Sequence, residues 1–196
     1  MLKVGYSTVF KRGRLCSLSS RCLSTTSVLS MPIKVGEKLP SVVLYEGNPE
    51  NKVNTSDLFS KGKCIIFGIP GAFTPTCTKS HAPGFIENSD ELKAKGITTI
   101  ACVSVNDPFV MDAWGKSLSA EGKVRMLADT NGEFTKKIDM ELDLTGPLGG
   151  IRSRRFSLVV NDGVVTSVNV EPDGTGLTCS AAHEVLKLVM AIHTMS

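Results

Sequence analysis

Apolar runs of strand length alternate with polar, helix-compatible runs along the earlier part of the chain. Continuous apolar runs of this length are typical of strands that are covered on both faces of a sheet. The predicted strands are residues 42–45, 64–69, 97–105 and 124–128, and the predicted helices are residues 75–95, 108–121 and 130–139. This alternation predicts a parallel α/β section with right-handed crossovers.

The later part of the chain changes to a hairpin followed by one helix. Asp162 and Gly163 separate two apolar runs, residues 154–161 and 164–170, which is a strong hairpin signal. The Gly-rich residues 140–153 are expected to form a loop, and residues 181–193 an amphipathic helix. The whole predicts an α/β fold in which a central mixed sheet is flanked by helices on both faces.

Residues 70–77 join the first long apolar strand to the helix that follows it. Thr74 suits the N-cap of that helix, and Pro75 then occupies the first helical position. Cys77 is therefore expected in the first turn, where free N–H groups and the positive helix end favour an anion. A thiol there should lose its proton more easily than a free cysteine, and the thiolate is the reactive form. The alternative is a small buried cysteine that packs like alanine.

The first 30 residues differ in composition from the rest. They contain five Lys or Arg residues, seven serines and no Asp or Glu, which is typical of an organelle transit peptide. A disordered basic tail is the alternative, and Met31 could begin a shorter, cytoplasmic product. Residues 31–196 carry 17 basic and 19 acidic residues. The net charge of +3 therefore belongs to the leader and does not indicate nucleic-acid binding.

Cysteine and histidine usage limits the possible chemistry. Two of the six cysteines lie in the leader, and the remaining four are too few for a secreted disulfide scaffold. No C-x-x-C motif and no zinc-like spacing of Cys and His occurs, so no metal site is expected. Cys64 and Cys102 are expected in the core, and Trp114 in the core or at a surface contact rather than in a cofactor site. His81 is expected on a helix surface, with tuning of Cys77 as the alternative. No apolar run is long enough to suggest a membrane span.

The motif Pro70-x-x-x-Thr74-x-x-Cys77 resembles the peroxidatic motif of the peroxiredoxins. The similarity covers about residues 32–190 and is closest to the peroxiredoxin-5 group. Further matching segments are residues 81–85, 101–107, 155–157 and 169–180. The resemblance implies a thioredoxin-like fold for residues 31–196 and an atypical two-cysteine thiol peroxidase, with no bound cofactor.

The resemblance also implies roles for particular residues. Cys77 would attack the peroxide and become a sulfenic acid, and Cys179 would resolve it as an intramolecular disulfide that thioredoxin reduces. Thr74 and Pro70 match the active-site threonine and proline of the family. The family also has an active-site arginine. Composition and spacing do not show which of Arg152, Arg154 and Arg155 would have that role, and the resemblance identifies it as Arg155. Expected substrates are hydrogen peroxide, alkyl hydroperoxides and peroxynitrite.

Two other functions compete with a peroxidase. A thiol–disulfide oxidoreductase on the same fold is weakened because Thr74 occupies the place of the first cysteine of C-x-x-C. A non-enzymatic redox sensor would use the same reactive thiol.

The expected assembly is a monomer or a weak homodimer, and the expected location is the mitochondrion. Residues 194–196 are Thr-Met-Ser, which is no peroxisomal signal.

Overall fold

A computed structural model describes residues 32–193 of the chain. The predicted transit peptide at residues 1–30 and the last three residues lie outside this range. Nine strands are present in the described range. They are β1 (Val43–Glu46), β2 (Asn48–Asn54), β3 (Lys63–Ile69), β4 (Ile97–Ser104), β5 (Arg125–Ala128), β6 (Glu141–Leu144), β7 (Gly150–Ser153), β8 (Phe156–Asn161) and β9 (Val164–Val170).

Seven α-helices and one π-helical turn connect these strands. The helices are α1 (Thr55–Leu58), α2 (Ala82–Glu87), α3 (Ser89–Ala94), α4 (Pro108–Ser117), α5 (Glu133–Lys137), α6 (Thr145–Leu148) and α7 (Ala182–His193). The π-helical turn, Cys77–His81, directly precedes α2. Within residues 32–193, no helix is both long and apolar enough to cross a bilayer.

The main sheet has seven strands in the order β2-β1-β5-β4-β3-β8-β9. Strands β3, β4 and β5 are parallel, whereas β8 runs antiparallel to β3 and β1 antiparallel to β5. The predicted mixed sheet is confirmed, and so is the β8–β9 hairpin. Its turn residues Asp162 and Gly163 both have positive φ, 48° and 78°, as a tight hairpin turn requires.

The expectation that residues 140–153 form a loop is wrong. They form β6, α6 and β7, and β6 pairs with β7 as a separate two-stranded sheet. Leu142 is half-buried between exposed neighbours, and Gly149 ends α6 with a left-handed φ of 74°. The pairing was hidden because the strands are short and half-exposed, and because Gly and Pro in this segment suggested irregular structure.

Two hydrophobic clusters lie on opposite faces of the main sheet. Alternate residues of β3 divide between them: Ile65 and Phe67 belong to one cluster, and Cys64 and Ile66 to the other. Side chains from α2, α3, α4 and α7 cover the first face, whereas α5 covers the second. The predicted arrangement of helices on both faces is confirmed. Because β3 and β4 are parallel neighbours, their carboxyl ends lie side by side at one edge of the sheet, between the two hydrophobic clusters.

Local side-chain signals mark the starts of two helices. The carboxylate of Asp107 accepts a hydrogen bond from the amide of Val110 at 2.9 Å, so it caps α4. The helix predicted for residues 75–95 is interrupted: a π-helical turn precedes Pro83, which lies in the first turn of α2.

Candidate active site

Cys77 lies at the carboxyl end of β3, on the first helical residues after the connecting turn. Helical structure begins at Pro75, and the carbonyl of Thr74 accepts the first helical hydrogen bond, from the amide of Thr78 at 2.9 Å. The predicted start of the helix is confirmed. The side chain of Cys77 is fully buried, at the N-terminus of the π-helical turn. Such turns occur often at functional sites.

The turn before Cys77 is held by its own polar groups and by the neighbouring strand. Phe73 adopts a left-handed φ of 61°, and the hydroxyl of Thr74 donates to the carbonyl of Gly71 at 2.9 Å. The amide of Ala72 donates to the side-chain oxygen of Asn106, just after β4, at 3.1 Å. These bonds fix the path of the chain from the buried Pro70 to Cys77.

The guanidinium of Arg155 contacts the sulfur of Cys77. Its Nη1 atom lies 3.3 Å from Sγ, and its Nε donates to the carbonyl of Thr175 at 3.0 Å. Arg155 is 2 % exposed. The two other arginines of this cluster point elsewhere: Arg152 donates to the carbonyls of Val105 and Leu148, and Arg154 donates to the carbonyl of Pro172.

Charge balance makes the contact between Arg155 and Cys77 informative. A buried cation is costly unless an anion or several acceptors compensate it. Within residues 32–193, no ion pair joins Arg155 to a carboxylate. The guanidinium is instead compensated by acceptors, among them the carbonyl of Thr175 and the sulfur of Cys77. The bonds described use Nε and Nη1, which leaves Nη2 for an oxygen of a small ligand.

His81 is buried at 1 % exposure, so the expectation of a surface histidine is wrong. Its Nδ1 lies 3.0 Å from Nη1 of Arg155, which can only donate, and its Nε2 donates to the carbonyl of Ser180 at 3.1 Å. Both partners require the neutral ring with the proton on Nε2. Burial against Phe67 and Phe85, and the adjacent charge of Arg155, lower the pKa of His81 from 6.5 to about 3.

Cys179 lies in the loop between β9 and α7 and is only partly buried. Its thiol donates to the carbonyl of Val170 at 3.4 Å. Burial and the nearby charge of Glu171 raise the pKa of Cys179. Cys77 and Cys179 are both free thiols in the structure. The thiol of Cys179 is therefore hydrogen-bonded at the end of β9 and forms no disulfide with Cys77 in the structure.

The two remaining cysteines of the described chain are buried, as expected. Cys64 and Cys102 are both 0 % exposed. Burial raises the pKa of Cys102 well above its usual value, and the neighbouring Cys77 adds to the effect. Trp114 is also fully buried, and its indole N–H donates to the hydroxyl of Thr78 at 3.1 Å.

The structure thus brings together several residues that the sequence singled out separately. Pro70, Thr74, Cys77 and Arg155 converge at one end of β3, whereas Cys179 lies in a neighbouring loop. The sequence reasoning missed the roles of Asn106 and Glu171, and it misplaced His81. The four-residue spacing of Cys77 and His81 was a usable signal, because residues four apart share one face of a helix.

Comparisons with known proteins agree with this geometry. Residues 34–186 match the redoxin family. The chain is 45 % identical over 183 residues to the Arabidopsis thaliana protein named peroxiredoxin-2E, chloroplastic, covering 90 % of this chain and 77 % of that protein.

Two solved structures are similar in both sequence and fold. Reduced Prx3 from Vibrio vulnificus in complex with H₂O₂ is 43 % identical, with a TM-score of 0.75 over 80 % of this chain and 99 % of that one. Peroxiredoxin 5 from Alvinella pompejana is 42 % identical, with a TM-score of 0.73 over 82 % of this chain and 99 % of that one.

Proposed function

The chain belongs to the peroxiredoxins, the thiol-dependent peroxidases of the redoxin family, and on that basis we propose that Cys77 reduces hydrogen peroxide and small alkyl hydroperoxides. One observation carries the proposal: a buried arginine without a carboxylate partner in the described chain donates to the Cys77 sulfur. The H₂O₂ complex of the Vibrio vulnificus relative supports the choice of substrate.

In the first step, the Cys77 thiolate attacks one oxygen of the peroxide. The S–O bond forms as the O–O bond breaks, the sulfur is oxidised to a sulfenic acid, and the other oxygen leaves as alkoxide or hydroxide and takes up a proton. Arg155 stabilises both the thiolate and the charge that develops on the leaving oxygen. The hydroxyl of Thr74 already donates to Gly71, so its lone pairs can accept a hydrogen bond from the O–H of the peroxide.

Full burial of Cys77 favours small substrates. The turn that begins at Pro70 and the π-helical turn shield the sulfur of Cys77 from water, so a peroxide must be small enough to pass between them. Peroxynitrite is small enough to be a further substrate. The neutral ring of His81 accepts from Arg155 without adding charge, so it keeps the guanidinium aimed at the sulfur.

In the second step, Cys179 attacks the sulfenic sulfur of Cys77. The S–S bond forms, the S–O bond breaks, and the hydroxide leaves as water after taking up a proton. The first turn around Cys77 and the loop around Cys179 must both loosen, because a disulfide requires Cα atoms within about 7 Å. A dithiol reductant of the thioredoxin type then returns both thiols. This sequence defines the atypical two-cysteine mechanism, within one monomer or a weak homodimer.

Residues 1–30 are proposed to direct the protein to an organelle, with the mitochondrion as the expected destination. Their basic, serine-rich and acid-free composition supports this role. The Arabidopsis relative that is named chloroplastic supports organelle import in general. Fusion of residues 1–30 to a fluorescent protein tests the destination, and a fusion that starts at Met31 is expected to remain in the cytoplasm.

Peroxide consumption with purified reductants tests the proposed activity. The wild-type protein should consume H₂O₂ with either thioredoxin or a small thiol, and Cys77→Ser should consume none with either. Cys179→Ser should remain active with the small thiol alone. Reduction of insulin disulfides at a rate that exceeds peroxide turnover would instead identify a thiol–disulfide oxidoreductase.

A further inference from the structure

One buried carboxylate holds the two residues that flank Cys179. Oε1 of Glu171 accepts from the amides of Thr178 and Ser180, at 2.7 and 2.9 Å, and from the hydroxyl of Ser180 at 2.6 Å. Oε2 accepts from the hydroxyl of Thr178 at 2.6 Å. Glu171 is 1 % exposed, although its neighbour Pro172 is on the surface. We call these four hydrogen bonds the Glu171 clasp.

The clasp is built for an ionised carboxylate. Burial alone would raise the pKa of Glu171, but the hydrogen bonds from Ser180 and Thr178 outweigh it and lower the pKa to about 2. Hydrogen bonds to a charged acceptor are roughly twice as strong as neutral ones. The clasp therefore stabilises the closed loop, in which the thiol of Cys179 donates to the carbonyl of Val170.

A chain of hydrogen bonds continues from the clasp to the Cys77 sulfur. The carbonyl of Ser180 accepts from Nε2 of His81, whose Nδ1 accepts from Nη1 of Arg155. The same Nη1 contacts the sulfur of Cys77. The backbone of Cys179 lies between two residues that the clasp holds, so it cannot move away from the end of β9 without breaking bonds of the clasp.

We propose that Glu171 is a positioning residue that sets the rate at which Cys179 is released to attack the Cys77 sulfenic acid, an inference that rests on the proposed function. In the closed loop, the thiol of Cys179 faces the carbonyl of Val170. Opening breaks the clasp, exposes Glu171 to water and frees the thiol. The sulfur then displaces hydroxide from the sulfenic acid, and water is released as the disulfide forms.

The release rate decides between two fates of oxidised Cys77. A sulfenic acid that waits for Cys179 can react with a second peroxide and become a sulfinic acid, which is not readily reversed. A tight clasp lengthens the lifetime of the sulfenic acid before the disulfide forms, and a weakened clasp shortens this lifetime. Glu171 thereby sets how much peroxide the protein tolerates before it is inactivated.

Stopped-flow fluorescence separates the two steps, because Trp114 is the single tryptophan and donates to the residue next to Cys77. Oxidation of Cys77 gives a phase that depends on peroxide concentration, and disulfide formation gives a later phase that does not. For Glu171→Gln we expect the later phase to accelerate about tenfold, with the first phase within about twofold of wild type. Sulfinic acid, measured by intact mass, should fall accordingly.

Two further variants keep the test decisive. Thr178→Val removes one hydroxyl from the clasp and should accelerate the later phase about threefold, even if Glu171→Gln fails to fold. Asp173→Asn is the matched control, because Asp173 lies in the same loop but accepts from Thr175 and Gly176, away from Cys179. Both of its phases should match those of wild type.

Other outcomes would overturn the inference or its premise. An unchanged or slower later phase in Glu171→Gln and Thr178→Val would show that the clasp does not limit release. Equal acceleration in Asp173→Asn would assign the effect to loop charge in general. If the wild-type protein forms no disulfide within one chain, the proposed function fails instead, so the two failures are distinguishable.

Discussion

Nη1 of Arg155 lies 3.3 Å from the sulfur of Cys77, although 78 residues separate them in sequence. The antiparallel pairing of β8 with β3 produces this contact. Phe156, the first residue of β8, pairs with Gly68 near the end of β3, so Arg155 lies where the chain turns towards Cys77. The sheet register, rather than any local motif, therefore places a buried cation against the sulfur of the proposed nucleophile.

Replacement of this arginine should impair the first step of the reaction. We predict that Arg155→Met lowers the second-order rate constant for H₂O₂ by roughly 10²- to 10³-fold, as is typical when one donor to a developing anion is removed. Stopped-flow measurement of the peroxide-dependent phase provides the value. Arg154→Met is the control and should stay within about threefold of wild type, because Arg154 contacts the carbonyl of Pro172 instead. Equal losses in both variants would refute the assignment.

The arginine also shows where sequence reasoning reached its limit. The three arginines between positions 152 and 155 have the same chemistry, and only the register of β8 distinguishes them. A family resemblance selected Arg155, whereas composition and spacing could not. The succession of strands and helices along the chain, in contrast, followed from local signals such as the apolar runs and the hairpin turn at Asp162.

The buried histidine predicts a loss of stability in mild acid. The folded state binds a proton on His81 only near pH 3, whereas the ordinary pKa is 6.5. Protonation therefore favours the unfolded chain between these values, and this stability is fully present above pH 6.5 and is lost as the pH falls. Between pH 6.5 and 5 we expect the free energy of unfolding to drop by about 1–2 kcal/mol from His81. Urea titrations at both pH values measure it.

A non-titrating replacement provides the control for that measurement. His81→Gln keeps an acceptor and a donor on the side chain but cannot take up the proton. Its free energy of unfolding should change much less over the same interval. Glu171 does not interfere, because its pKa of about 2 when folded and 4.5 ordinarily place its effect at lower pH. If the stability of the wild-type protein and of His81→Gln depended on pH in the same way, the neutral, buried state assigned to His81 would be contradicted.

The two core cysteines outside the proposed mechanism, Cys64 and Cys102, should be chemically silent. Alkylation of the native protein with iodoacetamide at neutral pH should label the partly exposed Cys179 well before either of them, because both are fully buried and burial disfavours the thiolate form of Cys102. Cys102→Ala should retain peroxidase activity and cost about 1 kcal/mol of stability. Peptide mapping after timed alkylation provides the order. Loss of activity in Cys102→Ala would give this thiol a role that the mechanism does not contain.

Gly68 is expected to tolerate no side chain. A methyl group at this position would lie 2.1 Å from a ring carbon of Phe156, the residue after Arg155. Gly68→Ala should lower the free energy of unfolding by about 1–3 kcal/mol or more, and should also slow the reaction with peroxide. Gly146→Ala is the matched control, because a methyl group there would meet no atom within 4 Å apart from its chain neighbours and the backbone of its own helix. Chemical denaturation measures the free energy of unfolding of both variants. Equal values would contradict the close packing of Gly68 against the ring of Phe156.

Residues that act through long-range contacts were the least predictable from the sequence. Glu171 lies in a turn-rich segment, and its four hydrogen bonds exist only once the loop folds back on it. His81 has a helical position that suits a surface residue equally well, and β3, β8 and the Cys179 loop decide that it is buried. Cys77, Thr74 and Pro70 were predictable because their signal is contiguous: a strand end, a cap, a proline and a thiol.

The most direct test of the central claim is the disulfide that forms after one equivalent of H₂O₂ is added to the reduced protein. Non-reducing mass spectrometry should show a monomer that is two hydrogens lighter, with the peptides of Cys77 and Cys179 linked. Cys179→Ser should instead retain one added oxygen on Cys77. Recovery of intermolecular disulfides alone, or of a linked pair that excludes Cys77, would contradict the account.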